Sequence, residues 1–158
     1  MKRILITGRP GAGKSTLAKK LAKLLNIPYF HLDLVHHDIE YKKQYQRAVA
    51  ASENQYIIEG AYIGRHFEEL VNFDTIIILD IDKLICLQNI YKRKSIKRDD
   101  FPNNFHESEI TWDAFIERTQ LYDCNKLLEY LKTSNTNATI YILKDYIEID
   151  NFLKTIKY

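Results

Sequence analysis

Gly8-Arg9-Pro10-Gly11-Ala12-Gly13-Lys14-Ser15 is the stretch on which the fold turns. It fits the pattern Gly, any four residues, Gly, Lys, Ser. Before it, Lys2-Arg3-Ile4-Leu5-Ile6-Thr7 is a short β-branched and aliphatic run; after Gly13, the residues Leu17, Leu21, Leu24 and Leu25 repeat at helical spacing. Strand, loop and helix in that order give the pattern its physical meaning. The glycines let successive backbone N–H groups turn inward on phosphate oxygens, and the helix N-terminus adds partial positive charge. Lys14 is placed to neutralise β- and γ-phosphates and the Ser15 hydroxyl to coordinate magnesium, so Gly8, Gly11, Ala12, Gly13, Lys14, Ser15 and Thr16 form the candidate ATP-binding set. A tight strand-to-helix turn without a ligand is the bland alternative, and the flanking context weighs against it.

Working outward, Asn26-Ile27-Pro28 ends the first helix, and Tyr29-Phe30-His31-Leu32 reads as a second strand delivering Asp33 at its carboxyl end. Tyr41 to Ser52 reads as helical. Gln55-Tyr56-Ile57-Ile58 is a third strand ending at Glu59-Gly60, and Thr75-Ile76-Ile77-Ile78-Leu79 a fourth ending at Asp80. Both runs are nearly uninterrupted apolar, as parallel strands covered on both faces should be. A helix capped by Asp82 runs through Leu84, Leu87, Ile90 and Tyr91 into the basic segment Lys92 to Arg98. Asp99 to Ser108 reads as loop around Pro102, about Glu109 to Lys132 as one helix, Thr139 to Leu143 as a fifth strand and Ile147 to Ile156 as a closing helix. This alternation implies a parallel α/β sheet with right-handed crossovers, whose ligands gather beyond the carboxyl ends of the strands. The glycine loop, Asp33, Glu59 and Asp80 all fall at that edge.

The 158 residues suit one domain with a core of its own, 1–158. A hydrophobic fraction of 46% with 5 Gly and 3 Pro describes an ordered globular chain. A net charge of +2 gives no general pull toward nucleic acid or anionic membrane. The apolar opening Ile4-Leu5-Ile6 is too short for a signal segment, and the expected location is cytoplasmic. Cys86 and Cys124 lack metal-ligand spacing and read as packing residues. The pair His36-His37 lacks a third ligand, and the eleven tyrosines are scattered without forming a base-stacking platform.

Chemistry is expected from the carboxylates and arginines near the strand ends. Glu59, followed by Gly60, is the candidate magnesium ligand beside Ser15, with Asp80 competing for that role. Asp33 is placed to accept a proton from an acceptor hydroxyl or to help hold the metal. Each has a capping or loop role as its alternative. Arg93 and Arg98 are candidates to stabilise a transferring phosphoryl group from a mobile segment, set against a solvated helix end whose positive charge complements the dipole. Arg65 could clamp an anionic acceptor group, and Arg118 is a weaker candidate for ATP phosphates.

With the glycine loop, the Tyr29 to Asp33 strand, Tyr56-Ile57-Ile58-Glu59-Gly60-Ala61-Tyr62 and the Lys92 to Arg98 flap in order, the chain resembles the adenylate-kinase-like P-loop kinases over nearly its whole length. Within them it looks most like the small bacterial DNA topology modulation or flagellar-regulator-related proteins, which share His-Leu-Asp after the second strand and an acidic residue, Gly, any residue, Tyr after the third. The resemblance implies a P-loop NTPase three-layer α/β/α fold with a five-stranded parallel sheet in the order 2-3-1-4-5. It also implies ATP on the glycine loop, an acceptor pocket built from Asp33 and the segment after Gly60, a lid at about 92–108 carrying Arg93 and Arg98, and adenine near the loop at Lys144. The sequence departs from the pattern at Glu59, where relatives more often carry Asp, at Arg9, and in the short segment between Asp33 and Gln55.

The expected function is transfer of the ATP γ-phosphoryl group, with magnesium, to a small acceptor such as a nucleotide, nucleoside or hydroxylated metabolite. A hydroxyl acceptor would use Asp33 as base, whereas a nucleoside monophosphate would lean on Arg65. The rival reading is a nucleotide-dependent regulatory protein whose basic flap meets nucleic acid; the near-neutral charge and lack of a nucleic-acid module favour the kinase.

Overall fold

The structure is a computed structural model that describes residues 1–61, 72–94, 109–134 and 136–156. Five strands, β1 (Arg3–Gly8), β2 (Tyr29–His31), β3 (Tyr56–Glu59), β4 (Thr75–Leu79) and β5 (Thr139–Leu143), form one sheet in the order β2-β3-β1-β4-β5. Every pairing is parallel. Seven helices flank it among the described residues: α1 (Lys14–Leu25), α2 (Leu32–His37), α3 (Ile39–Ala51), α4 (Lys83–Arg93), α5 (Glu109–Leu121), α6 (Cys124–Thr133) and α7 (Tyr146–Ile156).

Strand alternation divides the core into two layers, because successive side chains point to opposite faces of a sheet. Ile4, Ile6, Ile57, Ile77 and Leu79 pack with Leu17 and Leu21 of α1 and with Ile149, Phe152 and Leu153 of α7. Leu5, Ile58, Ile76 and Ile78 pack on the other face with Val35 of α2 and with Leu127 and Leu131 of α6. Phe30, Tyr45, Tyr56 and Phe73 join that second layer through edge-to-face ring pairs. Much of the tyrosine content is therefore packing, and Cys86 and Cys124 are buried free thiols pushed up to about 11 by burial.

Two local readings change. The segment from Glu109 to Lys132 is two helices, because Asp123 adopts an extended conformation and its carboxylate accepts from Asn125 N at 2.9 Å, starting α6 afresh. The second strand stops at His31, and Asp33 sits in the first turn of the short helix α2 rather than at a strand end. Asp82 caps α4 as expected, accepting from Leu84 N and Ile85 N. The lid residues 95–108, with Arg98, and Arg65 lie outside the described residues.

Asp74 staples the two central strands together. Its carboxylate accepts from Arg3 N at 2.9 Å, Lys2 N at 3.2 Å and Thr75 Oγ1 at 2.9 Å. Burial pulls its pKa up, but these donors outweigh it and hold the carboxyl below the usual aspartate value. A depressed folded pKa means stability present above the unfolded value and lost as pH falls through the folded one. Asp74→Ala is expected to lower unfolding free energy by about 1 kcal/mol at neutral pH, after discounting for solvent exposure. In denaturant melts the gap to the parent should close as the pH drops below about 4, and a gap constant through the acid range would disprove this role.

Candidate functional site

The loop from Gly8 to Gly13 turns with φ of +81° at Gly11 and +95° at Gly13, a region that L side chains rarely adopt. At Gly11 an added Cβ would run into the backbone carbonyl of Cys86 on α4. Gly13 starts α1 with no side chain capping the helix, which leaves its first N–H groups for another acceptor. Asn89 of α4 fixes the loop from outside by donating to Gly11 O at 2.9 Å and to Tyr146 Oη at 2.8 Å. Arg9 reaches the far side, donating to Thr119 O at 2.7 Å with its guanidinium 5.4 Å from the Tyr122 ring centroid.

Lys14 is half-buried and folds back over the loop, its Nζ donating to Gly8 O at 2.9 Å and Arg9 O at 3.0 Å. Burial lowers its pKa from the ordinary lysine value, with Glu59 and Asp33 acting in the opposite sense. Glu59, the last residue of β3, is only 6% exposed. Its Oε1 accepts from Ser15 Oγ at 2.9 Å and from His31 Nδ1 at 2.5 Å. Burial raises the Glu59 pKa, but the His31 hydrogen bond, the Lys14 charge and the Ser15 hydroxyl together hold it below the ordinary glutamate value. The geometry thus brings Glu59, and not Asp80, to Ser15; Asp80 instead lies near Cys124.

These groups open into one cavity of about 970 Å³ beyond the carboxyl ends of the strands. Lys14, Ser15, Thr16, Asp33, Glu59 and Gly60 line it from the sheet side, and Arg93 and Arg118 from α4 and α5. Arg93 is not a solvated helix end: its guanidinium lies 5.2 Å from the Trp112 ring centroid and 5.1 Å from that of Phe115. His31, Asn89, Phe115 and Tyr146, none of them a candidate on sequence grounds, also line this cavity. Only His31 carried a visible signal, standing just before Leu32-Asp33 at the end of a strand. Among the described residues no group of three or more His, Cys, Asp or Glu side chains could hold a metal ion unaided. None of their helices is long and apolar enough to cross a membrane.

The profile of the ATPase family associated with various cellular activities (AAA) matches residues 4–98, more than half of the chain. The chain belongs to the AAA ATPases. No curated protein is similar enough in sequence to count as a match. Among solved structures this AAA protein is similar to shikimate kinase from Acinetobacter baumannii in complex with shikimate, at 14% identity and a TM-score of 0.54, covering 99% of this chain and 90% of that one. It is also similar to a sugar kinase from Janibacter sp. HTCC2649, at 12% identity, TM-score 0.52 and coverage of 99% and 90%. A third likeness is to shikimate kinase from Bacteroides thetaiotaomicron, at 16% identity, TM-score 0.50 and coverage of 99% and 96%. At these identities the likeness is one of fold. The AAA chain has the P-loop kinase-like architecture, with its glycine loop, Glu59 and Asp33 at one edge of the sheet.

Proposed function

We propose that this protein is a one-domain phosphotransferase that moves the γ-phosphoryl group of ATP, with magnesium, to a small acceptor in the cytoplasm. One observation carries the reading: a glycine-rich loop, a serine–carboxylate pair, an exposed carboxylate and two arginines line a single cavity. Magnesium characteristically takes one or two protein oxygens and completes its shell with phosphate and water. The Ser15 hydroxyl and the neighbouring Glu59 carboxylate fit that demand, and they are the residues that would hold it. When bound, magnesium supplies positive charge against the phosphate oxygens.

The loop N–H groups and Lys14 hold the phosphates, and Arg93 and Arg118 face the charge that develops on the transferring group. Arg98, in the lid expected at about 92–108, would add its charge to theirs. With a hydroxyl acceptor, the acceptor oxygen bonds to the γ-phosphorus as the bond to the β-phosphate oxygen breaks, and the hydroxyl proton passes to Asp33. Asp33 is exposed in the cavity wall, where an acceptor can reach it. A phosphate acceptor would need no base and would use Arg65, and the short segment between Asp33 and Gln55 suits a small molecule of either kind. Topology modulation proteins remain the proposed near relatives on the His31-Leu32-Asp33 and Glu59-Gly60-Ala61-Tyr62 patterns.

Labelled ATP with magnesium, offered with nucleoside monophosphates, nucleosides and hydroxylated metabolites, tests the reading against a Lys14→Ala blank. Transfer to one acceptor class that vanishes in the blank is expected. Asp33→Asn should then slow a hydroxyl acceptor by about 10²–10⁴-fold and leave a phosphate acceptor nearly unchanged. Tight ATP binding with no transfer anywhere would overturn the kinase assignment in favour of a nucleotide-dependent regulatory protein, to be followed by DNA titration against salt.

A further inference from the structure

We infer that His31 is a positioning residue that sets the Glu59 carboxylate for the magnesium site, an inference that rests on reading Ser15 and Glu59 as the ligands. His31 and Glu59 occupy the same register position on the neighbouring parallel strands β2 and β3. Side chains at paired positions project to the same face of a sheet, so the imidazole and the carboxylate meet directly. They do so in the interior, with His31 2% and Glu59 6% exposed. The 2.5 Å contact from Nδ1 to Oε1 makes the nitrogen the donor and the carboxylate the acceptor.

His31 and Ser15 both donate to the same oxygen, Oε1. Two donors converging on one oxygen fix the carboxylate about its terminal torsion, which is otherwise broad. The fixed carboxylate in turn accepts the hydrogen bond of the Ser15 hydroxyl and so sets the direction in which Ser15 Oγ presents its oxygen to a cation. His31 therefore acts on the metal through Glu59 and Ser15 without touching it. The ring is itself held: Tyr29 packs edge-on at 5.7 Å between centroids, and the His31 backbone N–H donates to Tyr41 Oη at 3.1 Å. A buried imidazole held on several sides is a stiff support, and outer-shell partners of this kind typically change metal affinity by about 10–100-fold when removed.

The test is magnesium titration of a fluorescent ATP analogue bound to the full chain, with binding in EDTA and thermal melting measured alongside. His31→Leu fills the space but has no donor, while His31→Asn places an amide N–H near the position of Nδ1. We expect His31→Leu to raise the half-saturating magnesium concentration at least about tenfold, with affinity in EDTA unchanged, and His31→Asn to recover most of the loss. If His31→Leu fails to fold, His31→Gln replaces it, since its amide reaches the Nε2 position: a shift in Gln but not in Asn supports the inference. A donor-less variant with the parental magnesium curve, or equal shifts in Asn and the donor-misplaced variant, would overturn it. A parent whose analogue binding ignores magnesium would sink the phosphotransferase reading as well, whereas a magnesium-sensitive parent with an unaltered His31→Leu sinks this inference alone.

Discussion

Lys14→Ala is expected to reduce phosphoryl transfer by at least about 10³-fold while leaving the fold intact. Loss of one preorganised donor facing developing negative charge typically slows an enzyme by about 10²–10³-fold, and Lys14 adds a full charge to its donor role. The surroundings of Lys14 make the substitution informative in a second way. Burial disfavours its ammonium form, and the two carbonyls it meets, Gly8 O and Arg9 O, belong to the loop itself. Removing a desolvated charge relieves a penalty as well as deleting two hydrogen bonds, so the melting temperature should move by only a few degrees. Steady-state transfer and calorimetry on the same sample give both numbers. A variant that melts far below the parent would make Lys14 a structural residue, and one retaining a tenth of the parental rate would remove it from the chemistry.

Gly11→Ala should be among the most damaging single-methyl changes at the described residues. A left-handed backbone costs an L residue about 1–2 kcal/mol, and φ at Gly11 is +81°. The new methyl would also collide with the Cys86 carbonyl, which is part of the α4 backbone and cannot swing aside as a flexible side chain would. Overpacking of this kind adds about 1–3 kcal/mol, for a total of about 2–5 kcal/mol. At about 2–4 °C per kcal/mol in a chain of this size, melting should fall by roughly 4–20 °C. Nucleotide binding should weaken with it, because the alternative to unfolding is a loop pushed off α4, away from the Asn89 bond to Gly11 O. An unchanged melting temperature together with unchanged affinity would show that the loop is not held against α4.

The order of strands within the sheet rested on the resemblance to the P-loop kinases, but the succession of strands along the chain, the loop and the edge of the sheet where the candidate site lies could be read from the sequence itself. Each depends on local patterns: aliphatic runs of four or five residues, glycines at fixed offsets, and leucines at helical spacing. The lining of the candidate cavity was legible as far as Lys14, Ser15, Asp33 and Glu59, which either belong to the loop pattern or follow a recognisable strand. His31 was hidden because its partner is 28 residues away, and only the strand order puts them side by side. Arg93 sits in a basic run that reads equally as a wet helix end; the rings that enclose it, Trp112 and Phe115, come from a different helix. The break between α5 and α6 is not legible in the sequence because apolar residues continue through it, and the Asp123 cap is a single polar residue in a mixed stretch.

Arg9 occupies one of the positions that the loop pattern leaves open to any residue, yet its guanidinium ties the loop to the carbonyl of Thr119, 110 residues along the chain. The loop is consequently not an interchangeable cassette. Transplanting the glycine stretch of a distant relative, with another residue in place of Arg9, would preserve every consensus letter and still cut the strut between the glycine loop and the last turn of α5. Redesign of this protein for a different nucleotide or acceptor should therefore treat Arg9, Thr119 and Tyr122 as one unit to be moved or kept together.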